Sequence, residues 1–265
     1  MNKIINAQNF PRNPKIRRLI IPSQPGNVLL EGDLVQAESM VVAWYAKERN
    51  LMMMYLEGAD VHSWVGSLIM EEQITKADVE KRTMAKRIVH GSNYGMYPQM
   101  IVRTILKELC VALPLWKAKR AQTIYFQHFP MIRLGYHKGI EEELRTQNRV
   151  IRTPTGFERK FFAPWGRELF KEAYAHYAQN IIAYITNQAM NRLQELGYVD
   201  YIYMQTHDAV VLDIPKTKIV EMASILRQVM TYPVTIKNKE LVIPVEIKIG
   251  KNYGEMEEYN ETLWK

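Results

Sequence analysis

Hydrophobic and polar positions along this chain follow different periods, and the changes of period mark its elements. Up to about residue 26 no period is present: Pro11, Pro14, Pro22 and Pro25 interrupt a lead-in and rule out a long helix there. The run NVLLEGD, apolar and ending in an acid, then reads as a short buried strand. From Glu38 to Leu56 the apolar residues Val41, Val42, Trp44 and Tyr45 group toward one side, which predicts a helix. DVHSWVGSLIM continues helically with Asp60 as N-cap, and TKADVEKRTMAKRIVHG predicts a third helix capped by Thr75, with acids early in the segment.

An amphipathic helical pattern occupies residues 97–147. RVIRTPTGFERKFFAP interrupts it with Pro154 and Gly156 and predicts a hairpin or loop. The longest helical pattern follows, from about Gly166 to Gly197, with Gly197 as the residue that ends it. YVDYIYMQTHDAVVLDIP gives two β-rich runs around a tight turn at His207-Asp208; a helix at about 216–231 and the strand-like LVIPVEIKIG close the pattern. No internal repeat or low-complexity linker is present. Strands near both ends of the sequence, joined by a helical middle, predict an α/β chain whose sheet is assembled from distant segments around a large helical insertion.

Composition narrows this picture in three ways. With 265 residues, 47% hydrophobic and 24% charged, the chain has ordinary globular composition, which argues against disorder. The formal net charge of +7 favours an anionic partner, nucleic acid being the commonest. Cys110 is the single cysteine, which excludes a disulfide within the chain and a cysteine-based metal site; in ILKELCVAL it reads as a small buried apolar residue. No apolar run approaches the roughly 20 residues that span a bilayer, and the N-terminus has no signal-peptide core. A soluble, cytoplasmic protein with no membrane contact is expected.

The candidate chemistry starts with KRTMAKRIVHGSNYG. Arg82, Lys86, His90 and Tyr94 recur every four residues and share one slowly drifting helix face, with Met84 and Ile88 roughly opposite as the packed side. Arg82 and Lys86 alone would suit a solvated basic face, but a planar ring at each of the next two turns has no use there. Gly91 and Gly95 each cost about 1 kcal/mol of helix stability relative to alanine, which implies a close approach to the backbone. Two acids stand at strand ends, Asp33 and Asp208. Singly they read as turn or cap residues; held on neighbouring strands, they could bind a pair of Mg²⁺ ions about 3.5–4 Å apart for phosphoryl transfer.

The order D-x-x-Q-x-E, then R-x-x-x-K-x-x-x-ring-G-x-x-Y-G, then HD between strands resembles the three polymerase motifs of family A DNA polymerases, bacterial and phage replicative. AQNFPR resembles the family's template–primer segment, DVHSW its histidine-bearing segment, TPTGFERK its Thr/Gly/Arg loop and IGKNYGE its C-terminal strand, so collinear matches run from about residue 8 to 254. The resemblance implies a palm with an antiparallel sheet and a helical fingers insertion: palm with the first acid over 1–56, mainly fingers over 57–165, and palm with the second acid over 166–265. It implies two Mg²⁺ ions, with Mn²⁺ as an alternative, held by Asp33, Asp208 and the carbonyl of Leu34. Arg82, Lys86 and His62 would neutralise the triphosphate of a dNTP, and His90 would lie against its sugar and base. Tyr94 would stack near the templating position, Gln36 would lie on the nucleotide side, and Glu38 would crowd out a ribose 2′-OH. Gln8, Asn9, Gln179 and His207 would touch primer–template DNA.

Several positions depart from the family pattern. His90 stands where Phe or Tyr is usual, Ala209 where an acid commonly follows His-Asp, and Ala175 where Asn is usual. Leu34, Ser39 and Met40 replace Tyr, Leu and Arg. Matches begin within a few residues of Met1, where family members carry a thumb and usually an exonuclease-type domain upstream. The expectation is therefore a C-terminal catalytic subunit of a split or reduced DNA polymerase, phage-like in its DLxQAE motif, completed by a second polypeptide and working in host cytoplasm if viral. Two alternatives stand beside it: a catalytically degenerate homologue that binds nucleic acid or a replication partner, and a single-subunit RNA polymerase, against which Glu38 argues.

Overall fold

The structure, a computed structural model, describes residues 13–263. Gln8 and Asn9 lie outside the described residues. The lead-in contains one short helix, α1 (Pro14–Arg17), because Pro14 suits a first helical turn and the Asn13 side chain accepts a hydrogen bond from the Lys15 amide at 3.0 Å. β1 (Asn27–Leu34) follows as the sequence predicts. The helix expected over 38–56 is two helices, α2 (Ala37–Ala46) and α3 (Arg49–Leu56), broken at Lys47, whose φ is +55°. Buried Glu48 fixes the break by accepting from the Met131 amide at 2.9 Å.

α4 (Val61–Met70) starts at Asp60 as predicted, but the Asp60 carboxylate makes no backbone cap. α5 (Val79–Asn93) corrects the expected Thr75 cap: the N-cap position is Asp78, whose carboxylate turns back to accept from the Thr75 amide and hydroxyl at 2.8 and 2.9 Å. α6 (Pro98–Leu109) ends at Cys110, which is left-handed (φ +57°) and exposed, not buried, because it lies where the chain leaves the helix. α7 (Leu115–His128) leads to a π-helical turn, Ile132–His137, and then α8 (Lys138–Thr146). The hairpin β2 (Val150–Arg152) and β3 (Glu158–Lys160) forms as predicted. The long helix α9 (Arg167–Glu195) ends with Gly197 at φ +83°. β4 (Ile202–Thr206) and β5 (Ala209–Pro215) flank the predicted His207-Asp208 turn. α10 (Ile219–Met230), the hairpin β6 (Val234–Ile236) and β7 (Lys239–Leu241), β8 (Val245–Gly250) and β9 (Glu257–Glu258) complete the order. No helix among the described residues is long and apolar enough to cross a membrane.

The chain divides into two compact units, the first made of residues 1–37, 181–234 and 242–265, the second of 38–180 and 235–241. The first unit holds the antiparallel sheet, in the order β4-β5-β1-β8-β9. Side chains alternate along β1, so its two faces have different surroundings. One face packs on α10, where a Cβ on Gly32 would collide with Met230 and come within 3.0 Å of Leu226. The other carries Leu29, Glu31 and Asp33, passing from an apolar cluster of Leu29, Val211 and Tyr253 to charge at Asp33. The mixed helical and antiparallel-sheet fold expected from the sequence is thus the observed one.

The second unit is mainly helical. Ile88, Ile101, Ile105 and Ala121 form a buried cluster joining α5, α6 and α7, with Met84 packed against it. Both glycines of KRTMAKRIVHGSNYG answer to this packing: a Cβ on Gly91 would come within 2.9 Å of Ile101, and one on Gly95, at φ +65°, within 2.9 Å of the Tyr174 ring. The close approach read from the sequence is therefore made by the protein's own side chains. A buried polar joint sets α2 against α5: the Asn93 amide donates to Ser39 Oγ at 2.9 Å and the Tyr125 hydroxyl to Asn93 Oδ1 at 2.7 Å.

Candidate active site

In the first unit, strand register brings the two predicted acids together. Asp33 pairs with Ala209 across β1 and β5, and the Leu34 amide donates to the carbonyl of Asp208 at 3.1 Å. Asp208 occupies the turn beside His207, which is exposed and left-handed at φ +43°. Burial raises the pKa of Asp33 and the charge of Asp208 raises it further, while Lys248 pulls it down; the balance stays above the ordinary carboxylate range. Two carboxylates that repel in partly shielded surroundings favour a cation between them.

The register with β8 adds charged neighbours that motif reading did not single out. Asp33 pairs with Glu246 and Glu31 with Lys248. Lys248 Nζ lies 3.2 Å from Asp33 Oδ2 and 3.2 Å from Glu246 Oε2, while buried Glu31 accepts from the Tyr253 hydroxyl at 2.9 Å. Burial opposes the charge on Lys248, but Asp33, Glu31 and Glu246 together raise its pKa, so it is held as a cation. The signal was present in VEIKIG, where Glu246 and Lys248 share a face at strand period 2. Ala209 puts no carboxylate on one flank of Asp33; Glu246 stands on the other.

In the second unit, the basic stripe is part of a connected line of polar side chains. His90 Nδ1 lies 2.9 Å from Glu38 Oε2. Burial would raise the Glu38 pKa, but hydrogen bonds with His90, Tyr94 and Gln179 outweigh it and hold the carboxyl below its usual range. The same carboxylate, after burial, raises the Tyr94 phenol. His62 stacks on His90 with ring centroids 5.6 Å apart; burial first, then His90, Lys86 and Arg82, push its pKa well down, so it is neutral. Arg82 grips Asp60 with two bonds, Nε at 2.6 Å and Nη2 at 3.1 Å. Burial alone would raise Asp60, but Arg82 and Ser63 bring it to about 2.

Of the residues predicted for a nucleotide, Glu38, His62, Arg82, Lys86, His90 and Tyr94 thus belong to one neighbourhood, together with Gln179. Gln36 belongs to the first unit, left-handed at φ +52° just beyond β1. Asp60 holds the N-cap position that the sequence predicts, and its carboxylate aims Arg82. Asn93 was passed over, although it fixes the register of α2 and α5 and so the meeting of Glu38 with His90. Among the described residues no three or more His, Cys, Asp or Glu side chains converge as a metal-binding group. A cation at Asp33 and Asp208 would draw its remaining ligands from backbone, water or substrate.

Comparison with known proteins shows the family and the fold. The sequence profile described as DNA polymerase family A matches residues 2–255. Thermostable DNA polymerase I of Thermus aquaticus is 29% identical over 92% of this chain and 29% of its own length. DNA polymerase I of Helicobacter pylori is 27% identical over 95% of this chain and 28% of its own. The chain therefore spans less than a third of these relatives. A solved structure of the POL domain of Pol1 from M. smegmatis, in complex with DNA primer-template and dNTP, has the same fold with a TM-score of 0.75. It is 19% identical and covers 94% of this chain and 44% of that one.

Proposed function

The chain belongs to DNA polymerase family A, and from that premise we propose that it carries out template-directed DNA synthesis, the attack of a primer 3′-OH on the α-phosphate of a bound dNTP. The observation that carries the reading is the pairing of β1 with β5, which makes neighbours of Asp33 and Asp208 although 175 residues separate them. Asp33, Asp208 and the Leu34 carbonyl would hold two Mg²⁺ or Mn²⁺ ions. The donors suit such ions: they are hard oxygens, mutually repelling, and too few to saturate a coordination sphere, which leaves room for water and phosphate. Bound there, the metals would supply Lewis-acid activation of the attacking oxygen and charge neutralisation of the leaving pyrophosphate.

The chain's own residues divide the remaining work. Lys86 offers a point charge to the triphosphate, and Arg82 a planar fork once it exchanges Asp60 for phosphate oxygens. His62, held neutral, serves as a hydrogen-bonding ring rather than a third cation. Glu38, kept ionised and aimed by His90, excludes a 2′-OH by occupying its place, and Tyr94 lies at the template side. Gln179, His207 and the Gln8-Asn9 pair are the proposed DNA contacts. On this reading residues 1–56 and 166–265 are palm and residues 57–165 mainly fingers. A second polypeptide that supplies a thumb or exonuclease domain, and with it further phosphate contacts to duplex DNA, is part of the proposal, and cytoplasm is its setting.

Primer extension tests it, with dNTPs and Mg²⁺, comparing wild type with Asp33→Ala and Asp208→Ala. The wild type extends, alone or with a thumb-bearing partner recovered by pull-down, and both variants fall to background. Ala209 favours one rival, a degenerate homologue that binds nucleic acid without catalysis. If all three proteins are equally inert while DNA binding persists, that rival replaces the enzyme. Extension with NTPs in place of dNTPs would instead identify an RNA polymerase.

A further inference from the structure

Lys248 has no part in the chemistry above, yet its ammonium sits on one of the two acids proposed to hold metal. It lies 3.2 Å from Asp33 and 3.2 Å from Glu246, with Glu31 directly across the strand pair. Its side chain is 28% exposed, and the two carboxylates it bridges are each 33% exposed, so the ion pair is neither sealed in the core nor loose in solvent. A cation already occupies one edge of the Asp33 carboxylate.

We propose that Lys248 is a displaceable counter-ion for the metal site: its ammonium neutralises Asp33 in the metal-free protein and gives way when a divalent cation binds there. Glu246 is the receiver. It holds the ammonium as closely as Asp33 does, so Lys248 can release one carboxylate while keeping the other, moving only the end of a flexible four-carbon stem. The exchange sets the metal concentration at which the site fills. It also spares the metal-free sheet an unscreened cluster of Glu31, Asp33, Asp208 and Glu246. This rests on the reading of Asp33 as a metal ligand, and the experiment separates the two.

Mn²⁺ binding, measured by electron paramagnetic resonance of the free ion, is compared in wild type, Lys248→Met, Lys248→Arg and Asp33→Asn. Lys248→Met should bind Mn²⁺ at least about tenfold more tightly, since one unit charge within 4–6 Å commonly moves an ionic equilibrium by that much or more. Lys248→Arg, which keeps the charge, should stay near wild type, and Asp33→Asn should lose the site. A second measurement uses the wild type alone: reductive methylation with formaldehyde and a borohydride-type hydride donor, read by mass spectrometry on the peptide containing Lys248, should accelerate several-fold when Mg²⁺ is added. If Asp33→Asn abolishes Mn²⁺ binding but Lys248→Met does not tighten it, or methylation ignores Mg²⁺, the counter-ion role is overturned and the metal site stands. If Mn²⁺ binding is indifferent to Asp33→Asn, the metal reading fails and this proposal falls with it.

Discussion

Replacing Asp60 with asparagine would remove the charge that grips Arg82 while keeping the size of the side chain. Asp60 titrates at about 2 instead of 3.8: burial pushes it up, and the bonds from Arg82 and Ser63 more than reverse that. A folded-state pKa below the unfolded one contributes stability that is fully present above pH 3.8 and is lost as pH falls through about 2. At about 1.4 kcal/mol per unit, the shift corresponds to about 2 kcal/mol at pH 7 and about 1 kcal/mol at pH 3. Urea unfolding followed by tryptophan fluorescence reads this directly, because Trp44, Trp64, Trp116 and Trp165, four of the five tryptophans, lie in the same unit as the clamp. Asp60→Asn should therefore destabilise that unit by about 2 kcal/mol at pH 7 and by about half as much at pH 3. Other carboxylates titrate in both proteins and cancel in the difference. An equal loss at the two pH values would refute the reasoning, because the effect would then come from shape and not from charge.

Four further outcomes rest on the geometry described above. His90→Phe keeps a ring but removes one of the three hydrogen-bond partners of Glu38, so under the proposed function single-turnover NTP incorporation relative to dNTP should rise about tenfold, the worth of one charged hydrogen bond; an unchanged ratio would show that Glu38 needs no positioning from His90. Gly95→Ala must adopt φ +65° and meet the Tyr174 ring, which should cost about 1–3 kcal/mol in thermal unfolding. Gly58→Ala, left-handed at φ +72° but in open space, should cost only the backbone share, about 1 kcal/mol. Cys110, exposed at the end of α6, should react with a thiol reagent in the native protein as fast as in the unfolded one; protection of the native thiol would contradict its placement.

Much of the fold was legible because its signals are local. Gly197 ends α9, Pro154 and Gly156 mark a hairpin, and the turn His207-Asp208 separates two apolar strands, each readable from a few adjacent residues. What was missed depends on contacts between distant segments. Lys47 carries no mark of a helix break; buried Glu48, bound to the Met131 amide, creates it. Thr75 has cap chemistry, but Asp78 competes for the role and takes Thr75 as its own partner. Cys110 follows apolar neighbours, and only the end of α6 decides that it faces solvent.

The site divides in the same way. Arg82, Lys86, His90 and Tyr94 announce themselves through a repeat within one helix. Asp60, Asn93, Glu246 and Lys248 are each unremarkable in sequence, and gain meaning only from the α4–α5 packing, the α2–α5 joint or the β1–β8 register that sets them beside a motif residue. Motif reading finds the groups proposed to face a ligand more readily than those that aim or neutralise them.

The order β4-β5-β1-β8-β9 places the earliest strand between strands made from late sequence. β1 has no sheet partner until β5 is translated, and its other edge waits for β8, more than 200 residues after β1. At about 5–20 residues per second on a ribosome, that delay is on the order of ten to forty seconds. During it the helical unit between them can be synthesised and begin to fold, while an apolar strand with two open edges stays exposed. Translation pausing or chaperone capture in that interval would govern the yield of folded chains, and a prematurely terminated product would hold the Arg82 helix without the assembled acid pair.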